Sequence, residues 1–225
     1  MLFRPKVAEI QTLCDEEGFS PKRVADIGAG YGLFLEEWRD RKPAAECIAI
    51  EPNGEMAGIC RAKGLVVVEC FAEEAVTLRN ELDLAVALEV IEHVHDPMRF
   101  CSAIKDLLKP GGRALFTGLS VDGFDIQVLW ERSNSISPPQ HINFLSVDGF
   151  RALMERVGFR KVKVFTPGKL DVDIAKNMVA AQPGVLDQQR FLRHLLGQDE
   201  TVLKEFQMFL RQNRMSSHCW IWAEK

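Results

Sequence analysis

The sequence predicts an α/β fold: a doubly wound, mostly parallel seven-stranded sheet with a loop and helical cap over its carboxyl edge. Three observations predict it. Short apolar runs alternate with helical stretches through the first half of the chain. Those runs are nearly continuous, as strands are when helices cover both faces of a parallel sheet. The first run passes directly into a glycine-rich turn, "RVADIGAGYG" at 23–32.

Taken in order, residues 7–18 read as an amphipathic helix that ends at Gly18. Strands follow at 23–27, 46–51, 65–70, 82–88 and 112–118, with helices at 31–41, 54–63 and 97–108 between them. Asn53 caps the second of these helices and Gly64 ends it, while Asp96 and Pro97 suit the cap and first position of the third. The alternation then breaks. Residues 119–145, with Gly123, Pro138 and Pro139, read as a long loop holding one short helix. A helix at 146–157 is capped by Ser146 and closed by Gly158, and a strand follows at 161–165. Residues 168–214 read as helical in two pieces split near Gln182–Gly184, and "SSHCWIWAEK" alternates as a final strand. The chain thus reads as a single domain, 1–225, with cap insertions at about 119–145 and 167–214.

Composition narrows the function classes. Of 225 residues, 47% are hydrophobic and 27% charged, which is ordinary globular usage rather than disorder. A net charge of −4 argues against a chain that coats nucleic acid, whose footprint is basic. No apolar run reaches bilayer length, so no membrane partner is expected. The six cysteines are scattered without a C-x-x-C pair, so neither a metal site nor a disulfide framework is expected and a cytoplasmic location is.

The glycine turn carries the chemistry. Dinucleotide-binding turns read G-x-G-x-x-G/A, and the third small position here is Leu33, so that fingerprint fails. What stands instead is Asp26, Gly28, Gly30 and Gly32, with Glu51 ending the second strand. A carboxylate at Glu51 can accept from both hydroxyls of a ribose. A carboxylate at Asp26 suits a ligand that presents a cation, since a pyrophosphate would be repelled. A ribose, a cationic amino acid tail and no phosphate describe S-adenosylmethionine.

With "VADIGAGYG", "AIEPN", "ALEVIEHVHDP", "LLKPGGRALFTG" and "LMERVGFRKVKV" in this order, residues 20–165 resemble the class I S-adenosylmethionine-dependent methyltransferases, which have a Rossmann-like fold. The resemblance implies S-adenosylmethionine as cofactor and a small-molecule substrate. It places Asp26, Gly28, Ala29 and Gly30 along the methionine portion, with Tyr31 covering the cofactor and Glu51 and Pro52 at the ribose. Phe71, Ala72 and Glu73 flank adenine, Phe71 standing where the family often has an acidic residue. Leu88 and Glu89 face the cofactor at the end of the fourth strand.

Methyl transfer from a sulfonium needs alignment above all, and a base only where the acceptor must lose a proton. His141, in "SPPQHINFLS", and His93, in "EVIEHVHDP", are the candidate catalytic residues, each set against a purely structural role in its loop. Tail segments resembling sugar- and polysaccharide-associated methyltransferases make a sugar or nucleotide-sugar the leading acceptor. The "HVHDP…LLKPGG" region leaves a phenolic, quinone-type acceptor open. A nicotinamide-dependent oxidoreductase and a non-catalytic binding protein are the rivals from other classes.

Overall fold

The sheet expected from the sequence forms with its seven strands in the order β3-β2-β1-β4-β5-β7-β6. The structure is a computed structural model that describes residues 3–225. The strands are β1 (Arg23–Ile27), β2 (Glu46–Ile50), β3 (Val66–Val68), β4 (Leu82–Leu88), β5 (Leu108–Leu119), β6 (Arg160–Phe165) and β7 (His218–Glu224). β1 to β5 pair in parallel, whereas β7 runs antiparallel between β5 and β6. The strand order reverses between β1 and β4, so their carboxyl ends splay apart and open a crevice there.

Helices cover both faces. On one lie α1 (Phe3–Glu16), α2 (Leu33–Arg41) and α3 (Gly54–Ala62). There Val7, Ile10, Phe34, Trp38 and Cys60 pack with Val24, Leu84 and Trp222 of the sheet. On the other lie α4 (Pro97–Leu107) and α6 (Val147–Val157), burying Phe100, Ile104, Phe150 and Met154 against Ile48, Ala85 and Ile221. Caps stand where the sequence places them. Asn53 accepts from the amides of Glu55 and Met56, Asp96 from Arg99, and Ser146 from Gly149, while Gly158 takes a left-handed φ of 88° to close α6.

Several boundaries differ from the sequence expectation. α1 begins at Phe3 rather than residue 7, because Pro5 sits in the first turn, where its missing N–H costs nothing. β3 is shorter than expected, and β5 starts at Leu108, which pairs with Leu82 across a bulge. The 119–145 segment holds α5 (Phe124–Leu129) and a following 3-10 turn, Trp130–Arg132. Residues 168–214 form three helices rather than two: α7 (Asp171–Ala181), α8 (Arg190–Leu196) and α9 (Glu200–Gln212), the last started by the Asp199 cap.

The two late segments pack on one another at the carboxyl edge. Phe124 of α5 joins Val172, Ala175, Leu196, Leu203 and Leu210 of α7 to α9 in a separate apolar cluster. Asp171 fastens that cluster to the sheet. Its buried carboxylate accepts from the Ser217 amide at 2.6 Å and from Gln207 Nε2 at 2.7 Å, and also from Ser216 Oγ. Among the described residues no helix is long and apolar enough to cross a membrane.

Candidate functional site

Two buried carboxyl groups lie beneath the glycine turn, Asp26 on β1 and Glu51 just after β2. Asp26 is 4% exposed and Glu51 5% exposed. Glu51 Oε2 accepts from the Gly30 amide at 2.7 Å and its Oε1 from the Asn53 amide at 2.8 Å. The carboxylate therefore fixes the turn while each oxygen keeps a further lone pair. Asp26 is different. Burial, and then the charge of Glu51, push its carboxyl up to about 8, with Lys6 as the opposing cation.

Two glycines of the turn do separate work. Gly30 has φ 54°, and a Cβ there would enter open space, leaving the backbone bare to a ligand. Gly32 has φ 71°, and a Cβ there would lie 2.7 Å from Leu65 Cδ1 and 3.0 Å from Cys60 Sγ. Gly32 is thus the close-packing glycine. Leu33, at the position where a dinucleotide turn needs a small residue, is 45% exposed.

A cavity of about 590 Å³ opens beside this turn, lined by Gly28, Pro52, Phe71, Ala72, Glu73, Val90 and His93 among others. That volume suits a small-molecule site. The donor set fits S-adenosylmethionine: a buried carboxyl at Asp26 for a cation, lone pairs at Glu51 for a diol, and the 61%-exposed ring of Phe71 at the cavity wall for a flat base.

The far wall is the turn after β4. The segment 140–143 docks on it, with the amide of Ile142 donating to the Glu92 carbonyl at 2.8 Å and Asn143 Nδ2 donating to the Ile91 carbonyl at 3.1 Å. This brings His93 and His141 together, ring centroids 4.9 Å apart. Each Nδ1 donates to a backbone carbonyl, His93 to Gln140 at 2.8 Å and His141 to Ser135 at 2.6 Å, so each presents Nε2. Glu92 is 2% exposed and its Oε2 has no hydrogen-bond partner among the described residues; burial, and then the charge of Glu89, push its carboxyl up to about 7. Donor atoms of Glu92, His93 and His141 lie within 4.8 Å of one another, the one such gathering among the described residues that could take a metal.

Glu89 points the other way. It adopts φ 55°, a strained conformation for a non-glycine residue at a strand end. Its Oε1 accepts from Thr117 Oγ1 at 2.6 Å and from Lys6 Nζ at 3.3 Å, and His218 Nδ1 lies 3.3 Å from it. His218 Nε2 in turn accepts from the Trp220 indole at 2.9 Å, which leaves the ring proton on Nδ1, facing Glu89. These groups border a second cavity of about 360 Å³ on the β5–β7 side.

Of the residues singled out from the sequence, the structure gathers Gly28, Pro52, Phe71, Ala72, Glu73 and His93 around the first cavity, with Asp26, Ala29, Gly30 and Glu51 forming the turn and its base. His141 stands against His93. Tyr31 is 53% exposed and does not border the cavity, Leu88 packs into the core, and Glu89 borders the second cavity. Cys70, Val90, Val94 and Phe100 also line the first cavity, and Lys6 and His218 the second. Sequence reasoning passed over them because ordinary apolar and charged residues carry no local pattern. His218 does carry one weak signal, a histidine at the carboxyl edge two places from a buried tryptophan.

Comparison with known proteins shows the family and the fold. A protein-family model described as "Methyltransferase domain" matches residues 3–164. The chain is 29% identical over 185 residues to a ubiquinone biosynthesis O-methyltransferase of Dinoroseobacter shibae, covering 72% of this chain and 73% of that one. A second relative of that name, from Paraburkholderia phymatum, is 34% identical over 106 residues, covering 44% of this chain and 45% of the relative. A SAM-dependent methyltransferase structure from Archaeoglobus fulgidus superposes with TM-score 0.60 at 19% identity, covering 97% of this chain and 94% of that one, a likeness of fold.

Proposed function

Because the chain belongs to the methyltransferase-domain family, matched over residues 3–164, we propose that it moves a methyl group from S-adenosylmethionine to a hydroxyl of a small phenolic or quinone-type acceptor. The observation that carries the cofactor half is the cradle itself: the bare backbone at Gly30 over the buried pair Asp26 and Glu51. The acceptor half is supported by the ubiquinone-pathway relatives. They favour the phenolic acceptor over the sugar that the tail segments suggested.

The cofactor supplies an electrophilic methyl on a sulfonium, a leaving group that needs no protonation. The chain supplies placement. Asp26 meets the ammonium of the amino acid tail, and the charge that the tail brings favours the ionised carboxylate. Glu51 uses its remaining lone pairs for the ribose hydroxyls while holding the Gly30 amide. Phe71 offers a face to adenine in place of an acidic contact.

The test is calorimetry followed by turnover. S-adenosylhomocysteine is expected to bind and NADH not to, and methyl transfer is expected with catechols but not with nucleotide sugars. Tight NADH binding without a response to S-adenosylhomocysteine would overturn the reading, as would unchanged cofactor affinity in Glu51→Ala.

A further inference from the structure

We infer that the acceptor binds in the second cavity, with Lys6 and Glu89 as its reactive end and His218 as a positioning residue for Glu89. This rests on the proposed methyl transfer to a phenolic hydroxyl and assigns the place and residues that it leaves open. The cavity of about 360 Å³ lies under α1 and the start of α7, beside the carboxyl ends of β4 and β5. Leu119, Leu170, Ile174 and Trp220 give it apolar wall, and Lys6, Glu89 and His218 form one polar cluster on it.

That division of polarity selects the ligand class. A buried hydroxyl needs a partner, and a molecule with hydroxyls all round would leave several facing apolar wall. A flat apolar body with its hydroxyls at one end matches the lining. The charged groups around that end are few. Lys169 is paired with Glu9 at 3.1 Å, and Asp171 is held by Ser216 and Ser217, just before β7. Lys6, 3.3 Å from Glu89, is therefore the cation that faces the acceptor.

Thr117 and Lys6 donate to Glu89 Oε1, with His218 Nδ1 3.3 Å away and the Glu92 carboxyl as the neighbouring acid, and no hydrogen bond to Oε2 is made among the described residues. Oε2 is the oxygen left for an incoming hydroxyl. When a phenol binds, its O–H bond breaks, the proton passes to Glu89 Oε2, and the electron pair stays on the phenolic oxygen beside Lys6. That oxygen then attacks the methyl, and the methyl–sulfur electron pair remains on sulfur. His218 takes no part in the proton transfer. The Trp220 indole occupies its Nε2, and burial holds the ring below its ordinary pKa, so it stands as a neutral ring with Nδ1 3.3 Å from Glu89 Oε1 and restricts the Glu89 rotamer.

The test uses 4-nitrocatechol, whose visible spectrum reports ionisation of its hydroxyl, titrated into the full chain holding S-adenosylhomocysteine. The wild type is expected to bind it and shift its spectrum toward the phenolate. Lys6→Met should abolish the shift and weaken binding about tenfold, as loss of a charge-assisted contact does. Ile174→Trp should block binding by filling the cavity, with its S-adenosylhomocysteine affinity within about twofold of wild type. His218→Leu should lower kcat about tenfold with little change in KM, and His218→Asn, which keeps a donor toward Glu89, should recover most of it. Unchanged 4-nitrocatechol binding and spectrum in Lys6→Met and Ile174→Trp would overturn the site. So would a wild type that binds S-adenosylhomocysteine but not the catechol. A wild type that binds neither overturns the methyltransferase reading itself, which separates the two failures.

Discussion

Asp26 shows what one buried side chain can set. Burial, and then Glu51, push its carboxyl up to about 8, so at neutral pH the free protein holds it mostly protonated. A ligand with an ammonium at that point favours the ionised form, and binding at pH 7 is expected to release close to one proton. Calorimetry of S-adenosylhomocysteine in buffers of different ionisation enthalpy measures that release directly, and Asp26→Asn should abolish it. The sign of the stability effect follows from the same shift. The folded state binds the proton more tightly than the unfolded chain, so Asp26 destabilises the free protein progressively as pH rises from about 4 to about 8. Asp26→Asn should therefore be the more stable protein at pH 8 and gain little near pH 4, read as urea midpoints. The sequence identified the carboxylate from its place before Gly28; its protonation came from the packing of β1 between β2 and β4.

At the scale of an element, α3 joins folding to function at its first turn. The Asn53 side chain caps the helix through the Glu55 and Met56 amides, at 3.0 and 3.1 Å, while its own amide donates to Glu51. Asn53→Ala is expected to cost about 1 kcal/mol of stability, in the usual range for a lost cap, with an unchanged dependence on denaturant. Urea unfolding followed by circular dichroism checks both parts. Caps of this kind were legible because they are local: Asn53, Asp96, Ser146 and Gly158 each act on amides or carbonyls a few positions away. The late helices were less legible. Nothing local separates α8 from α9 except Gly197 and the Asp199 cap, and the apolar cluster that fixes all three draws on Phe124 of α5.

Across the whole molecule, Arg113 of β5 binds distant parts of the chain. Its Nε donates to Glu17 at 2.7 Å and its Nη1 lies 3.0 Å from Glu224 of β7, while Lys163 of β6 holds the other Glu17 oxygen at 2.8 Å. Burial alone would raise the Glu17 pKa, but hydrogen bonds from Lys163 and Arg113 outweigh it and lower the carboxyl to about 2. A depressed folded pKa contributes stability that is present above about 4.5 and is lost as pH falls toward 2. Arg113→Met is expected to lose about 1–2 kcal/mol at pH 7 and to show a flatter acid limb over that window. Urea midpoints taken from pH 7 down to pH 2 test both.

The sequence by itself determined the sheet's strands, the helices between them and the glycine turn with Asp26 and Glu51, because apolar period, caps and left-handed glycines are properties of neighbouring residues. It also separated a phosphate-free cradle from a dinucleotide turn, through Leu33. Only the tertiary structure decided that Glu89 turns away from the glycine cavity, that His93 meets His141, and that Lys6, Glu89 and His218 share one cavity. Those three lie on α1, after β4 and on β7, and they meet because the reversed strand β7 enters beside β5 with His218 opposite Leu119. Strand order and register are fixed by the burial of the whole sheet, and that energy is spread over residues too far apart in the chain for any local pattern to record it.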